Sequence, residues 1–359
     1  MKITIKTLCA LLSLLLLSRC ASLTKSQLTE VNEFGSLTAN FSMYPVSLYS
    51  SYLAIHEKAL MYSANSITGP EDHYKSINSA YQLKKSLTAK NQELDLTIHI
   101  IDKYGQSLVY LTSPEHSAQL DTAAQSLGTN LDGLIEQYNS INSAHPLPTG
   151  IGGAVSELVT LGGEQFIRSR QAKEVKEFVQ KADPMIAQLA DAMLAHLKGP
   201  LKSPTGTPLT FPELIANERK EVHQDYVFFL SYNPLPDSIS LRPESLKQVQ
   251  KKSSGKEKSK TSVKDTVAFP VYKGTIQNQR FASLANDHDC FQMLEDLDNL
   301  ELLYNQTLTA IESLKKAHHK LLIDVQEKKN LKEIAIEVQA YCGDVKNMYT
   351  TLKAIKKVK

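Results

Sequence analysis

The sequence predicts an all-α protein, an elongated bundle of long antiparallel helices with coiled-coil-like seams. Apolar residues recur every seven positions in two regions, at Leu87, Leu94, Ile101 and Leu108, and again at Leu297, Tyr304, Ile311, His318 and Val325. Seven-residue spacing places such side chains on one narrow seam of a helix. A third run, Leu120, Ala124, Leu127, Leu131, Leu134, Tyr138 and Ile141, alternates spacings of four and three. The absence of tryptophan and an aromatic content of 7% suit helical rods better than aromatic-lined clefts.

Taken in chain order, residues 1–19 read as a signal peptide. Lys2 and Lys6 supply a basic start, and Thr7 to Ser18 form an apolar core too short for the roughly 20 residues that span a bilayer. The run Leu17-Ser18-Arg19-Cys20 resembles the lipobox of bacterial lipoproteins, with Arg19 where a small residue is usual. The resemblance implies cleavage before Cys20, acylation of that cysteine and tethering of the mature chain to a bilayer through it, on the outer membrane or cell surface. Several acyl chains make such an anchor stable, at about 0.8 kcal/mol per buried methylene. The alternative is an ordinary secretory signal cut near the same point.

Removing residues 1–19 takes Lys2, Lys6 and Arg19 and no acid, so 40 basic residues become 37 against 38 acidic, a net charge of −1. That balance argues against nucleic acid as a partner. Residues 20–36 read as a tether and 37–232 as a helical bundle. Within the bundle, helices are expected at 45–66, 70–84, 113–142, 184–198 and 211–232. Pro114, Pro184 and Pro212 sit at or near the first position of the last three, where the missing N–H costs nothing. The join at 199–210 holds three prolines and cannot be helical. Residues 233–285, with seven lysines between Lys247 and Lys264, read as a flexible basic linker or insertion with one short candidate strand at Thr266–Tyr272.

Residues 286–359 read as a long C-terminal helix or a helical hairpin packed on the bundle. After Glu327-Lys328-Lys329-Asn330 the seam slips by one and continues at Leu331, Ile334, Val338, Tyr341, Val345, Met348, Leu352 and Ile355. The slip is either a skip in one helix or a turn between two, and the polar run favours a break. Cys290 and Cys342 remain after processing. A helix over 287–326 places Cys290 about 55 Å from its end, and Cys342 lies about 20 Å beyond a bend. The two are not level, and both read as unpaired, packed cysteines.

The chain has no CxxC, HExxH, GxSxG or P-loop pattern, and no His three residues after a Glu, which removes the ExxH pair of di-iron bundles. No catalytic residue, metal site or cofactor is therefore assigned. In Asp287-His288-Asp289-Cys290 successive side chains point around a helix instead of converging, so the two acids read as helix-start charges. His318 reads as a packed seam histidine.

The glycine-dense stretch Pro148–Gln165 lacks the third glycine of a dinucleotide loop. It reads as a proline-marked break followed by a helix from about Gly152 to Lys181. Gly152, Ser156, Thr160 and Gly163 form a small-residue face suited to a close helix crossing. The same apolar segment, 147–163, supports an alternative, membrane insertion as in α-helical pore-forming toxins, to which the resemblance is architectural. The function read from these features is a non-catalytic, membrane-tethered helical scaffold or interaction lipoprotein of the bacterial envelope, its seams pairing within the chain, with a protein partner or in a homo-oligomer. A membrane-active effector and an enzyme whose site leaves no motif are the alternatives.

Overall fold

A computed structural model describes residues 23–66, 69–113, 118–157, 164–202, 208–232, 276–327 and 331–356. The described chain is all-α. Its helices are α1 (Lys25–Phe41), α2 (Pro45–Ser66), α3 (Pro70–Thr112), α4 (Ala118–Ile141), α5 (Gly153–Glu157), α6 (Glu164–Lys198), α7 (Phe211–Tyr232), α8 (Ile276–Glu327) and α9 (Leu331–Lys356). The proline-rich join holds a two-residue ribbon, β1 (Leu201–Lys202) antiparallel to β2 (Pro208–Leu209). The chain divides into two units: residues 1–52, 83–212 and 299–359, and residues 53–82 and 213–298.

The first unit is built on α1, α3, α6, α8 and α9. A capping box starts α1: Gln27 N–H donates to Thr24 Oγ1 at 3.2 Å while Thr24 N–H donates to Gln27 Oε1 at 2.9 Å, satisfying two otherwise orphaned donors. Helix α1 runs antiparallel to α3, with Asn32 donating to Thr112 Oγ1 at 2.8 Å and Gly35 opposite Gly105. A methyl group at Gly105 would stand 2.6 Å from Gly35 O and Ala39 N, so glycine is what lets these backbones meet. Helix α6 is antiparallel to α3 as well. Gln171 donates to Leu111 O at 2.8 Å, Phe178 stacks on Tyr104 at 5.2 Å, and Lys90 reaches Pro200 O at 3.3 Å. Helix α8 then runs back along α6, through Lys315–Asp191 at 2.7 Å and Tyr304–Leu197 O at 3.4 Å.

The seams read from the sequence supply most of this core, Leu297 alone of the residues named next lying in the second unit. Leu87, Leu94, Ile101 and Leu108 are buried, as are Leu297, Tyr304, Ile311, His318 and Val325 and their companions Leu300, Leu314 and Leu321. On α9, Val338, Tyr341, Val345, Met348, Leu352 and Ile355 are buried too. The break near 327–330 is a reversal. Ser313 Oγ donates to Asp344 Oδ2 at 2.6 Å, whereas one continuous helix would hold residues 31 apart about 46 Å from each other.

Several boundaries differ from the sequence reading. Residues 25–36, read as part of a tether, are helical, with Val31 and Phe34 fully buried. The helix expected at 70–84 and the seam from Leu87 to Leu108 belong to one helix, α3. Pro184 does not open a helix but lies inside α6. The proline costs about 3 kcal/mol there, offset by buried Val179, Ala182, Met185 and Ile186 around it. On α4 Leu131, Ile135 and Tyr138 are buried, while Ile141, the last residue of the helix, is 65% exposed. Helix α8 begins at Ile276, ten residues before the expected start, so Asp287 and Asp289 are interior to it.

The second unit packs parts of α2, α3, α7 and α8. Helices α7 and α8 are antiparallel, joined by Arg219–Asp298 at 2.6 Å and by a Tyr226 hydroxyl that donates to Asp287. Lys58 of α2 pairs with Asp289 at 2.8 Å. Cys290 lies in this unit and Cys342 in the first, and both are free thiols. Of the basic linker read over 233–285, residues 233–275, with the candidate strand Thr266–Tyr272, lie outside the described residues, and residues 276–285 are helical, in α8.

Candidate functional site

Within the glycine stretch, Gly152 makes a close crossing inside the first unit. The chain leaves α4 through a loop held by Asn139, which donates to Leu147 O at 2.9 Å and accepts from Leu147 N–H at 2.6 Å. Gly150 then takes φ +73°, a left-handed conformation that glycine adopts without a steric penalty. Gly152 N–H donates to Asp132 Oδ1 at 2.8 Å. Its Cα packs so tightly on Gly128 that an added methyl group would overlap the Gly128 carbonyl, and Ser156 Oγ lies on the same side. Leu147, Ile151, Ala154 and Val155 are buried around this crossing. Of the helix expected from 152 to 181, the described parts are α5 and the start of α6, and residues 158–163 lie outside the described residues. Thr160 and Gly163 lie outside the described residues.

His318 is fully buried and sits in a chain of polar contacts. Tyr104 Oη is 2.5 Å from His318 Nε2, and His318 Nδ1 is 3.0 Å from Asp183 Oδ1. Burial pushes the imidazole pKa down, and the hydrogen bond to Asp183 only partly offsets it. The neutral ring with its proton on Nδ1 satisfies both contacts: it donates to Asp183 and accepts the Tyr104 O–H. The His318 hydrogen bond in turn holds the Asp183 carboxyl below its ordinary range. The order tyrosine, histidine, aspartate is that of an acid–base relay, but Tyr104 and His318 are 0% exposed and present no reacting atom to solvent. Their role is to specify how α3, α6 and α8 meet.

An open cleft of about 520 Å³ is lined by Lys25, Glu30, Glu33, Val338 and Gln339. Burial raises the Glu30 carboxyl, and Asp324 and Glu33 push it further up. Asp324 is itself buried and raised by that burial. The lining also includes the hydroxyls of Ser26 and Thr29, so it combines two carboxyls with one amine and two hydroxyls.

The second unit holds a cluster the sequence reading missed. His56 on α2 faces Glu218 and Glu221 on α7, with Nδ1 2.7 Å from Glu218 Oε2. One ligand atom from each of the three lies within 4.8 Å of both others. Glu218 is 1% exposed, His56 is nearly buried and Glu221 is at the rim. Burial opposes charge on His56, yet the hydrogen bond and charge of Glu218, with Glu221 and Glu57 adding, raise its pKa. Partial desolvation raises the Glu221 carboxyl and Glu218 adds to this, while His56 opposes. The three are the group of His, Cys, Asp or Glu side chains that converge closely enough for one ion among the described residues. The signal in the sequence was the ExxE pair, Glu218 and Glu221, one helical turn apart on one face. Its histidine comes from 162 residues away, which no local spacing reveals.

No protein-family model, no curated protein and no solved structure matches the chain.

Proposed function

We propose that the protein is a non-catalytic helical scaffold of the bacterial envelope, tethered to a bilayer through acylated Cys20 and engaging other proteins by the outer faces of its helices. The observation that carries the interaction role is on α3 of the second unit. Tyr74, Ile77 and Tyr81 are 65%, 39% and 61% exposed and share one helical face at spacings of three and four. Large apolar side chains gathered on one exposed face are a common mark of a protein-binding surface. The described heptad-seam residues are buried inside the chain, which supports placing a partner or a second copy on such outer faces.

The tether rests on the Leu17-Ser18-Arg19-Cys20 run. Expressed in a bacterium fed a clickable palmitate analogue, the wild-type chain is expected to label and to sediment with membranes, and Cys20→Ala to do neither. A Cys20→Ala chain that still labels removes the anchor, and an unlabelled, soluble wild type favours an ordinary secretory signal. The membrane-active alternative requires Leu147, Ile151 and Val155 to leave the core in which they are buried. No described helix is long and apolar enough to cross a membrane.

A further inference from the structure

The convergence of His56, Glu218 and Glu221 has no part in tethering or in the exposed α3 face, and its chemistry points elsewhere. We propose that these three side chains bind one divalent first-row transition ion, with zinc as the ion to test.

The donor set is one imidazole nitrogen and two carboxylate oxygens, a combination that suits borderline ions such as zinc. Ligand atoms about 2.1 Å from a tetrahedral ion stand about 3.4 Å apart. The cluster brackets that value, from 2.7 Å between His56 Nδ1 and Glu218 Oε2 up to at most 4.8 Å among the three. Every separation thus lies within about 1.4 Å of the tetrahedral value. Glu218 and Glu221 are one turn apart on α7, so one rigid element supplies two ligands and α2 supplies the third.

Charge argues in the same direction. Protonated His56 brings a single positive charge to two carboxylates, one of them almost completely buried. A divalent ion brings two charges and displaces the proton from Nδ1, leaving histidine neutral, the form in which it ligates. Burial of Glu218 fixes one ligand and lowers the local dielectric, while Glu221 at the rim leaves a side open for water as a further ligand. Glu57 on α2 and Asp225 on α7 add negative charge near the cluster, while Lys58 and Arg219 of the same two helices are paired with Asp289 and Asp298. Three protein ligands and a solvent position describe an ion that can be loaded and removed, in contrast to a closed four-ligand structural site.

The test is calorimetric titration of zinc chloride into the whole mature chain at pH 7 in a non-coordinating buffer. One zinc per chain is expected to bind, weakened at least tenfold in Glu221→Gln and His56→Ala and unchanged in His288→Ala, a histidine of the same unit outside the cluster. Glu221 is exposed, so Glu221→Gln keeps the test valid if His56→Ala fails to fold. Zinc is also expected to raise the melting temperature of the wild type and not of Glu221→Gln. Absence of stoichiometric binding, or equal affinity in wild type and Glu221→Gln, overturns the proposal. Neither result bears on the Cys20 anchor, whose test is separate.

Discussion

Tyr104 Oη lies 2.5 Å from His318 Nε2, in a core where both side chains are fully buried. The contact ties α3 to α8, and Asp183 extends it to α6. Tyr104→Phe retains the stack on Phe178 but leaves the imidazole nitrogen without its donor. A buried acceptor stripped of its partner costs about 1–3 kcal/mol. Tyr304→Phe loses a longer contact, 3.4 Å to Leu197 O, and is expected to cost less than about 1 kcal/mol. Urea unfolding of the two variants should rank them in that order, and equal costs would mean that the short contact has no special weight.

Acid should weaken the first unit through one half-buried and one buried histidine. His196 is pushed down to about 4, by burial first and then by Lys90, and burial lowers His318 as well. Between pH 6.5 and the lowered folded values the unfolded chain holds more protons than the folded one, so stability falls as pH falls. Asp183, lowered in the fold by His318, loses its contribution further down, through its own depressed pKa. His56 has the opposite sign: its raised pKa gives stability fully present below pH 6.5 and lost as pH rises through the folded value. Melting temperatures measured from pH 7 to 4 should therefore decline, and His196→Gln should flatten the decline. A variant with the same slope as wild type would contradict the assignment.

The separation between what the sequence revealed and what it hid follows the range of the interactions. The seam from Leu297 to Val325 was legible because a heptad is a local pattern and every member is buried. The His318 packing role was legible for the same reason. Helix ends were misplaced where tertiary burial overrode a local signal, as at Pro184 inside α6 and at residues 25–36. The Gly35–Gly105 crossing was invisible because a single glycine in a helical pattern reads as a weak point, and only its opposite number 70 residues away gives it meaning. His56 and the Glu218–Glu221 pair were hidden likewise.

The close crossing at Gly152 gives a paired test within two adjacent residues. At Gly152 an added methyl group overlaps the carbonyl of Gly128, while at Gly153 it meets nothing within 4 Å. Overpacking against backbone, which cannot rotate away, costs about 1–3 kcal/mol or more. Alanine in open helical space instead restricts the unfolded chain and stabilises by about 0.4–1 kcal/mol. Chemical denaturation should show Gly152→Ala destabilised and Gly153→Ala neutral or stabilised. If Gly152→Ala were tolerated as well as Gly153→Ala, the backbones of α4 and α5 would not meet as described.

The reversal between α8 and α9 is measurable as a distance. Ser313 and Asp344 share a hydrogen bond of 2.6 Å, which fixes the register of an antiparallel pair. Glu312 and Lys346 are exposed and lie close to that contact in sequence. Spin labels at these two positions, in a background without other cysteines, are expected to give a pulsed-EPR distance below about 30 Å. A single helix running through 327–330 would put the same positions about 51 Å apart at 1.5 Å per residue. The hairpin also brings Tyr341 between Phe34 and Phe41, at ring separations of 5.8 and 6.0 Å. Tyr341→Ala should therefore lower stability by about 3–5 kcal/mol. In a still-folded sample it should broaden the distance distribution, because α9 would lose the aromatic contact that seats it on α1.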